Sequence, residues 1–391
     1  MSELLTSRWA ETKEALLEGL QGTKKSVMGA TLENTRKYLA ESATVGATSA
    51  GNVATLNRVI LPVIRRVMPT VIANELVGVQ PMTGPVGQIH TLRVRYAQTV
   101  AANGSVVGTT AGEEALSPFK IAEQYSSATN TGRASSTASL EGQPGRTMSI
   151  QILKQTVEAK TRKLSARWTF EAAQDAQAQQ GIDVEAEIMA ALAQEITAEI
   201  DQEILASLTT LAGTQNQEAY DQAAVSGTAT FVGDEHAALA VMINRVSNRI
   251  AQRTSRGAGN WAVVSPTALT ILQSATTSAF ARTTEGTFEA PTNTKFVGTL
   301  NSAMKVYVNT YASSDTVLIG YKGSTESDAA AFYCPYIPLM SSGVVLDPST
   351  FEPVVSFMTR YGYVELSNSA SSLGNAADYL GTVTIANAVF S

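Results

Sequence analysis

The side chains that could do chemistry are few and scattered. The two histidines, His90 and His236, stand 146 positions apart, and neither has Cys or carboxylate neighbours at metal-ligand spacing. Cys334 is the only cysteine, set in Tyr333-Cys-Pro-Tyr336 between aromatic residues, where a thiol packs as a small hydrophobe. No intrachain disulfide can form, which fits maturation in a reducing cytosol. No Walker loop, dinucleotide fingerprint or nucleophile elbow is present. Gly257-Ala-Gly259 has two glycines of a fingerprint but precedes a strand instead of following one, and reads as a tight turn. Carboxylates crowd the stretch from Trp168 to Asn244, yet without an apolar pocket their number reads as a solvated face and not as a general acid and base. These residues point to no enzyme, no metal and no cofactor.

The carboxylates matter in another way. Between Trp168 and Asn244 there are 13 Asp and Glu and no Lys or Arg, whereas residues 1–167 carry 19 basic side chains against 12 acidic ones. Like charges along one stretch repel unless solvent, ions or an opposite surface neutralises them. The whole chain of 391 residues has a net charge of -6 and a pI near 5.2, which argues against a protein whose main task is gripping nucleic acid. Charged residues make up only 16% against 44% hydrophobic, so much of the outer surface is expected to lie under other subunits. No apolar run is long enough to span a bilayer, and Met1-Ser-Glu-Leu-Leu lacks the pattern of a signal peptide, so the chain reads as cytosolic with no membrane partner.

The elements that must position these groups read as α+β, with mostly antiparallel strands. Two short helices lie within residues 3–39, followed by the Gly-, Ser- and Thr-rich spacer Ser42–Asn52. The apolar pairs recurring every four residues from Val59 to Ile72 draw a helical stripe that Pro62 and Pro69 would start, kink or divide. A strand ending at Tyr96 and a return limb from Ile150 make a long hairpin around an exposed, core-poor excursion. That limb is basic: Lys154, Lys160, Arg162, Lys163 and Arg167. A long helix from about Asp183 to Leu211 follows, with an apolar ridge at Ile188, Leu192, Ile196, Ile200, Ile204 and Leu208. Glu195, Glu199 and Glu203 form an acidic ridge about 100° away. A helix at Glu235–Thr254 and strands at Trp261–Val264, Lys305–Val308, Val317–Gly320, Tyr333–Leu339, Val354–Leu366 and Val383–Val389 complete the body.

Several segments, in order over about 300 residues, resemble the major capsid protein of T-even-like tailed bacteriophages. They are Leu61–Pro69 running into Ile72–Met82, Glu158–Ala166 with Ala173-Gln-Asp175, Gly257–Asn260, Gly320–Gly323, Tyr333–Tyr336, and Phe351–Val354 to Thr359–Gly362. The resemblance implies the Hong Kong 97-like capsid fold. Its parts would be an N-terminal extension and spacer (1–52), an N-arm helix (53–86), an E-loop (87–170), a peripheral domain with a long spine helix (171–232 and 344–370), and an axial domain (233–343 and 371–391). The span from Tyr96 to Ser149 is shorter and more polar than the insertion domain that T-even members carry on the E-loop.

The implied function is assembly into hexameric capsomers that tile an icosahedral head shell around the genome. A pentameric vertex paralogue and an encapsulin-like compartment shell are the alternatives of the same fold. Partners would be copies of the chain, vertex or portal proteins, scaffold, a prohead protease and decoration proteins, with DNA as non-specific cargo; the chain would be assembled in the host cytoplasm and end in the virion. Family members lose an N-terminal segment after Leu- or Ile-x-Glu; Leu39-Ala-Glu41 fits, with cleavage after Glu41, and Leu16-Leu-Glu18 fits too. The charge segregation offers a contact between Lys154, Lys160, Arg162, Lys163 and Arg167 and an acidic face carrying Glu195, Glu199 and Glu203. Sequence leaves open whether they meet between subunits, within one, or face solvent.

Overall fold

The computed structural model describes residues 9, 13, 14, 17, 25–34, 72–101, 108–113, 115, 125–126, 136–142, 145–180, 183–225, 232–275, 280–282, 295–312, 314–324, 328–366 and 376–388. The spacer, Glu41, Pro62 and Pro69 lie outside these residues. Helix α1 (residues 25–34) buries Val27, Met28, Thr31, Leu32 and Asn34, one face at helical spacing. The one-turn helix α2 (Ala73–Leu76) leads into the short strand β1 (Gly78–Val79). Strands β2 (Val86–Tyr96) and β3 (Met148–Glu158) then form the expected hairpin, in register from Val86 opposite Glu158 to Tyr96 opposite Met148. At its far end the Tyr96 and Tyr125 rings pack at a tilt of 49° with centroids 4.5 Å apart, and Val100 and Ala115 join them in a small core of their own.

Past Ala159 the chain enters β4 (Lys160–Arg167). Then come α3 (Phe170–Gln180), α4 (Val184–Ala212), β5 (Gln217–Asp221), α5 (Val232–Thr254), β6 (Trp261–Val264) and α6 (Pro266–Ser274). Strands β7 (Phe280–Arg282), β8 (Lys295–Leu300), β9 (Met304–Val308), β10 (Thr316–Gly320), β11 (Ala331–Ser341), β12 (Val345–Leu346), β13 (Pro353–Glu365) and β14 (Leu380–Ala386) follow, with short helical turns at Thr137–Leu140, Gln222–Val225 and Ala376–Tyr379. Asp183 starts α4 by accepting the N–H of Glu185 at 3.1 Å through its side chain, satisfying a donor that the first turn leaves free. The helix runs 29 residues, about 44 Å at 1.5 Å per residue.

Two sheets flank α4. One has the order β1-β11-β13-β12, with β4 on the other side of β13. The other has the order β5-β14-β10-β6-β9-β8-β7. The two-residue alternation of the strands divides the core. Trp261, Val263 and Leu318 face α4, joining Ile196, Ile200, Ile204, Leu208, Tyr333, Val355 and Phe357 in one cluster. Ala262, Val264, Val317 and Ile319 face the other way, onto Leu239, Ile243, Val246 and Ile250 of α5 and Ile271 of α6. The expected ridge of α4 is buried at Leu192, Ile196, Ile200, Ile204 and Leu208, with Ile188 packed beside it.

Three features differ from the sequence reading. β4, inside the 87–170 segment, pairs with β13 from Lys160 opposite Tyr361 to Arg167 opposite Val354, so it is a sheet strand and not hairpin. β11, inside the 233–343 segment, pairs with that same β13. In each case a partner distant in sequence offered a free edge, which local pattern cannot reveal. Gly257 and Gly259 have no left-handed backbone; a Cβ at Gly257 would lie 2.6 Å from the Tyr321 ring and one at Gly259 2.9 Å from Ile319 Cγ2. They allow close packing where a tight turn was expected.

Candidate interaction surfaces

β4 shows alternate side chains to α4. Leu164 and Ala166 pack against the core there, and Arg162 stands in the same row. Its guanidinium donates to Glu199 Oε2 at 2.6 Å, to Glu203 Oε2, and through Nε to the Tyr361 hydroxyl at 2.6 Å. Tyr361, on β13, also donates to Glu203. Burial alone would raise the Glu203 carboxyl; the hydrogen bonds from Tyr361 and Arg162 outweigh it and hold the group below its ordinary value. Arg162 thus binds β4 and β13 to α4 inside one subunit. The acidic ridge and the basic strand meet, and at this position they meet within the chain.

The other candidates lie apart. Lys160 contributes its field to Glu203, and Lys163 and Arg167 point outward from β4. Arg167 approaches Glu352 at 3.9 Å. Glu195 is exposed one turn before Glu199. Lys154 is exposed on the hairpin, opposite His90. Glu41 is outside the described residues.

Two exposed apolar surfaces accompany these charges. On β3, Met148, Ile150 and Ile152 alternate onto one side of the hairpin, and both isoleucines are 67% exposed. Lys154 continues the same row. At the far end of β4, the Phe170 and Phe351 rings meet at a tilt of 42° with centroids 5.9 Å apart, and Val345 and Leu346 are exposed as well. Phe351 is 70% exposed and has φ +58, a left-handed conformation that costs an L-residue energy. The turn imposes it: Phe351 N–H donates to Asp347 O at 2.8 Å, and Asp347 N–H donates to Glu352 O at 2.9 Å. The neighbouring surface carries both signs: Glu171 and Asp175 are exposed on α3, and Arg167 is exposed beside Glu352.

Sequence reasoning missed Phe351, Asp201 and Asn34. Asp201 is fully buried in α4, where burial pushes its carboxyl up to about 7 and the Ile72 N–H partly offsets that. In the folded helix Asp201 falls in a second buried series with Ala193, Thr197 and Leu205, one residue after the ridge positions. His236 is buried with Nδ1 against Ser274 Oγ, while His90 is exposed. Cys334 is buried, which pushes its thiol up to about 11. Among the described residues no group of three His, Cys, Asp or Glu could hold a metal ion, and no helix is long and apolar enough to cross a membrane.

The profile of the major capsid protein Gp23 family matches residues 53–385. The major capsid protein of Vibrio phage KVP40 is 30% identical over 415 aligned residues, which cover 84% of this chain and 80% of the relative. That of Enterobacteria phage T4 is 30% identical over 411 residues, covering 83% and 78%. Among solved structures, the chain is similar to the capsid of Myoviridae Phage XM1, at 10% identity and a TM-score of 0.45, over 81% of this chain and 92% of that one.

Proposed function

The chain belongs to the Gp23 major capsid protein family, and from that premise we propose that its copies join head to tail, the hairpin of one subunit lying on the Phe351 end of the next. It is a major capsid protein of a tailed phage, a component of the virion head shell. The observation that carries the proposed contact is the pair of exposed apolar surfaces at opposite ends of the β3–β4 run. Met148, Ile150 and Ile152 sit with Lys154 at one end; Phe170 and Phe351 sit with Glu171, Asp175 and the Arg167–Glu352 pair at the other. The eight residues of β4 alone hold the ends about 26 Å apart, and its pairing with β13 keeps the run extended. Two different patches that cannot meet within one subunit make a heterologous contact, and a heterologous contact that closes makes a ring.

The ring we propose is the hexameric capsomer of a Hong Kong 97-like shell, with α4 as spine helix and the β2–β3 hairpin as E-loop. Vertex, portal, scaffold and decoration proteins, cleavage after Glu41 by a prohead protease, assembly in the host cytoplasm and DNA as non-specific cargo belong to the same proposal. Arg162, Glu199 and Glu203 are engaged within the subunit, so Lys154 is the leading basic candidate for the contact between subunits, with Glu195 among the acidic ones. Raised salt weakens such exposed pairs.

The test is the double variant Ile150→Ser/Ile152→Ser with Lys154→Glu alongside. Both should leave circular dichroism and the unfolding midpoint of the subunit unchanged while abolishing or sharply reducing shells seen by sedimentation and electron microscopy. Shells formed at wild-type yield and salt tolerance by both variants would refute the head-to-tail contact.

A further inference from the structure

Helix α1 does not stand off behind the spacer. Val27, Met28 and Leu32 belong to the same apolar cluster as α4, and Thr31 is fully buried. At the end of the described helix, Asn34 Nδ2 donates to Met82 O at 2.7 Å and to Tyr336 O at 3.0 Å, so one side-chain amide spans residues 48 and 302 positions away. On its other side Glu33 pairs with Lys13 at 3.3 Å and accepts from Trp9 Nε1 at 3.4 Å.

Met82 is the root of the hairpin. Its N–H donates to Pro335 O at 3.0 Å, and its side chain packs with Val157, Phe332 and Cys334. Three residues on, Pro85 O accepts the N–H of Ala159 at 2.9 Å, closing the base of β2 and β3. The joint is tight. A Cβ on Gly87 would lie 3.1 Å from Val157 Cγ1 and 3.5 Å from Met82 Cε; one on Gly362 would lie 2.5 Å from Val157 Cγ2 and 3.4 Å from Met82 Sδ. Beyond the joint, Met148–Ile152, Lys154 and Thr156 of β3 carry exposed side chains. The hairpin's angle to the body is therefore set where Met82, Val157 and Gly362 interlock, and Asn34 holds the backbone of that joint from behind.

We propose that α1 is a latch on the hairpin root: docked through Asn34, it fixes Met82 against Val157 and so sets the pose of the projecting hairpin. When α1 leaves, the buried Met82 carbonyl and the partly buried Tyr336 carbonyl lose this donor and the root residue loses its support. Stability is local in proteins, so the release would loosen the root while the rest of the core holds. The latch concerns the hairpin used in the proposed assembly contact, but it acts within one subunit and is measured without assembly.

The experiment is amide hydrogen exchange on the unassembled full-length subunit carrying Asn34→Asp, which keeps the shape of the side chain and removes both donors. Exchange of the β2 and β3 amides nearest the root, Gly87–Ile89 and Gln155–Glu158, should rise about tenfold or more, while amides of α4, β6 and β10 keep their wild-type rates. Asn34→Ala reads the same quantity without an added charge and serves if the aspartate variant does not fold. Unchanged exchange at the root in a folded variant would overturn the latch. So would an equal rise across α4, β6 and β10, which would make Asn34 an ordinary core contact. Loss of shells without a change at the root would count against the latch and leave the assembly contact standing.

Discussion

The Asp201 carboxylate, buried at the middle of α4, accepts the backbone N–H of Ile72 through Oδ1 at 3.0 Å, while Oδ2 meets no hydrogen-bond partner among the described residues. It ties Ile72, at the start of α2, to the central helix. Tyr333, on β11, faces the same carboxylate, and its hydroxyl is raised by its own burial with a smaller contribution from Tyr361 and Asp201.

Because burial lifts the Asp201 carboxyl to about 7, its effect on stability runs opposite to that of a paired surface carboxylate. Below about pH 4 the group is protonated in both the folded and unfolded chain. Between about pH 4 and about pH 7 the unfolded chain ionises and the folded one keeps its proton, so each pH unit upward removes about 1.4 kcal/mol of stability. Above about pH 7 both states are ionised and the penalty stays constant. Asp201→Asn keeps an oxygen for the Ile72 N–H and removes the charge. Urea unfolding at about pH 5, 6.5 and 8 should show a higher midpoint for the variant at the top of this range and a flatter dependence below it.

Arg162→Met should destabilise the subunit by about 1–3 kcal/mol, since it removes the charged donor shared by Glu199, Glu203 and Tyr361. Glu199→Gln should cost less than about 1 kcal/mol, because that carboxylate is exposed and makes a single pair. In a double-mutant cycle by urea unfolding, the coupling of Arg162 to Glu203 should exceed its coupling to Glu199. Equal couplings would mean that the Tyr361 hydroxyl adds nothing.

Gly320→Ala should cost about 3 kcal/mol or more, or prevent soluble expression, because the new Cβ would lie 2.1 Å from Trp261 Cζ2 in a fully packed core. Gly145→Ala, with nothing within 4 Å of the added atom, should stay within about 0.5 kcal/mol of the parent. Thermal unfolding of the two variants side by side reads the contrast.

Cys334 should resist a charged thiol reagent at about pH 8 in the native subunit and react fully once denaturant opens the fold. The thiol is buried among Met82, Val157 and Phe332, and that burial raises its pKa to about 11. Rapid native labelling would mean that the hairpin root opens freely.

Much of the fold was legible locally. The four-residue recurrence of Leu192, Ile196, Ile200, Ile204 and Leu208 marks α4 and its buried face, since a helix repeats every 3.6 residues whatever packs on it. The unbroken apolar Trp261–Val264 marks a strand covered on both sides, and the structure buries all four residues. The charge segregation and the scarcity of catalytic or metal-binding groupings are likewise properties of the chain itself. Collinear segments pointed to the capsid family because order along a chain is a sequence property.

Tertiary structure alone decided which groups meet. Lys154 and Arg162 read as one basic limb, yet Lys154 stands in a two-stranded hairpin and Arg162 in a sheet, because the strand that pairs with β4 begins nearly two hundred residues later. Asn34 reads as part of a detached extension, yet its amide closes on Met82 and Tyr336. Asp201 sits among exposed carboxylates along the chain and is the buried one in space. Periodicity is a local property of the backbone and survives in the sequence. Contacts across tens or hundreds of residues depend on which edges and faces remain free once the elements pack, and only the folded chain contains that information.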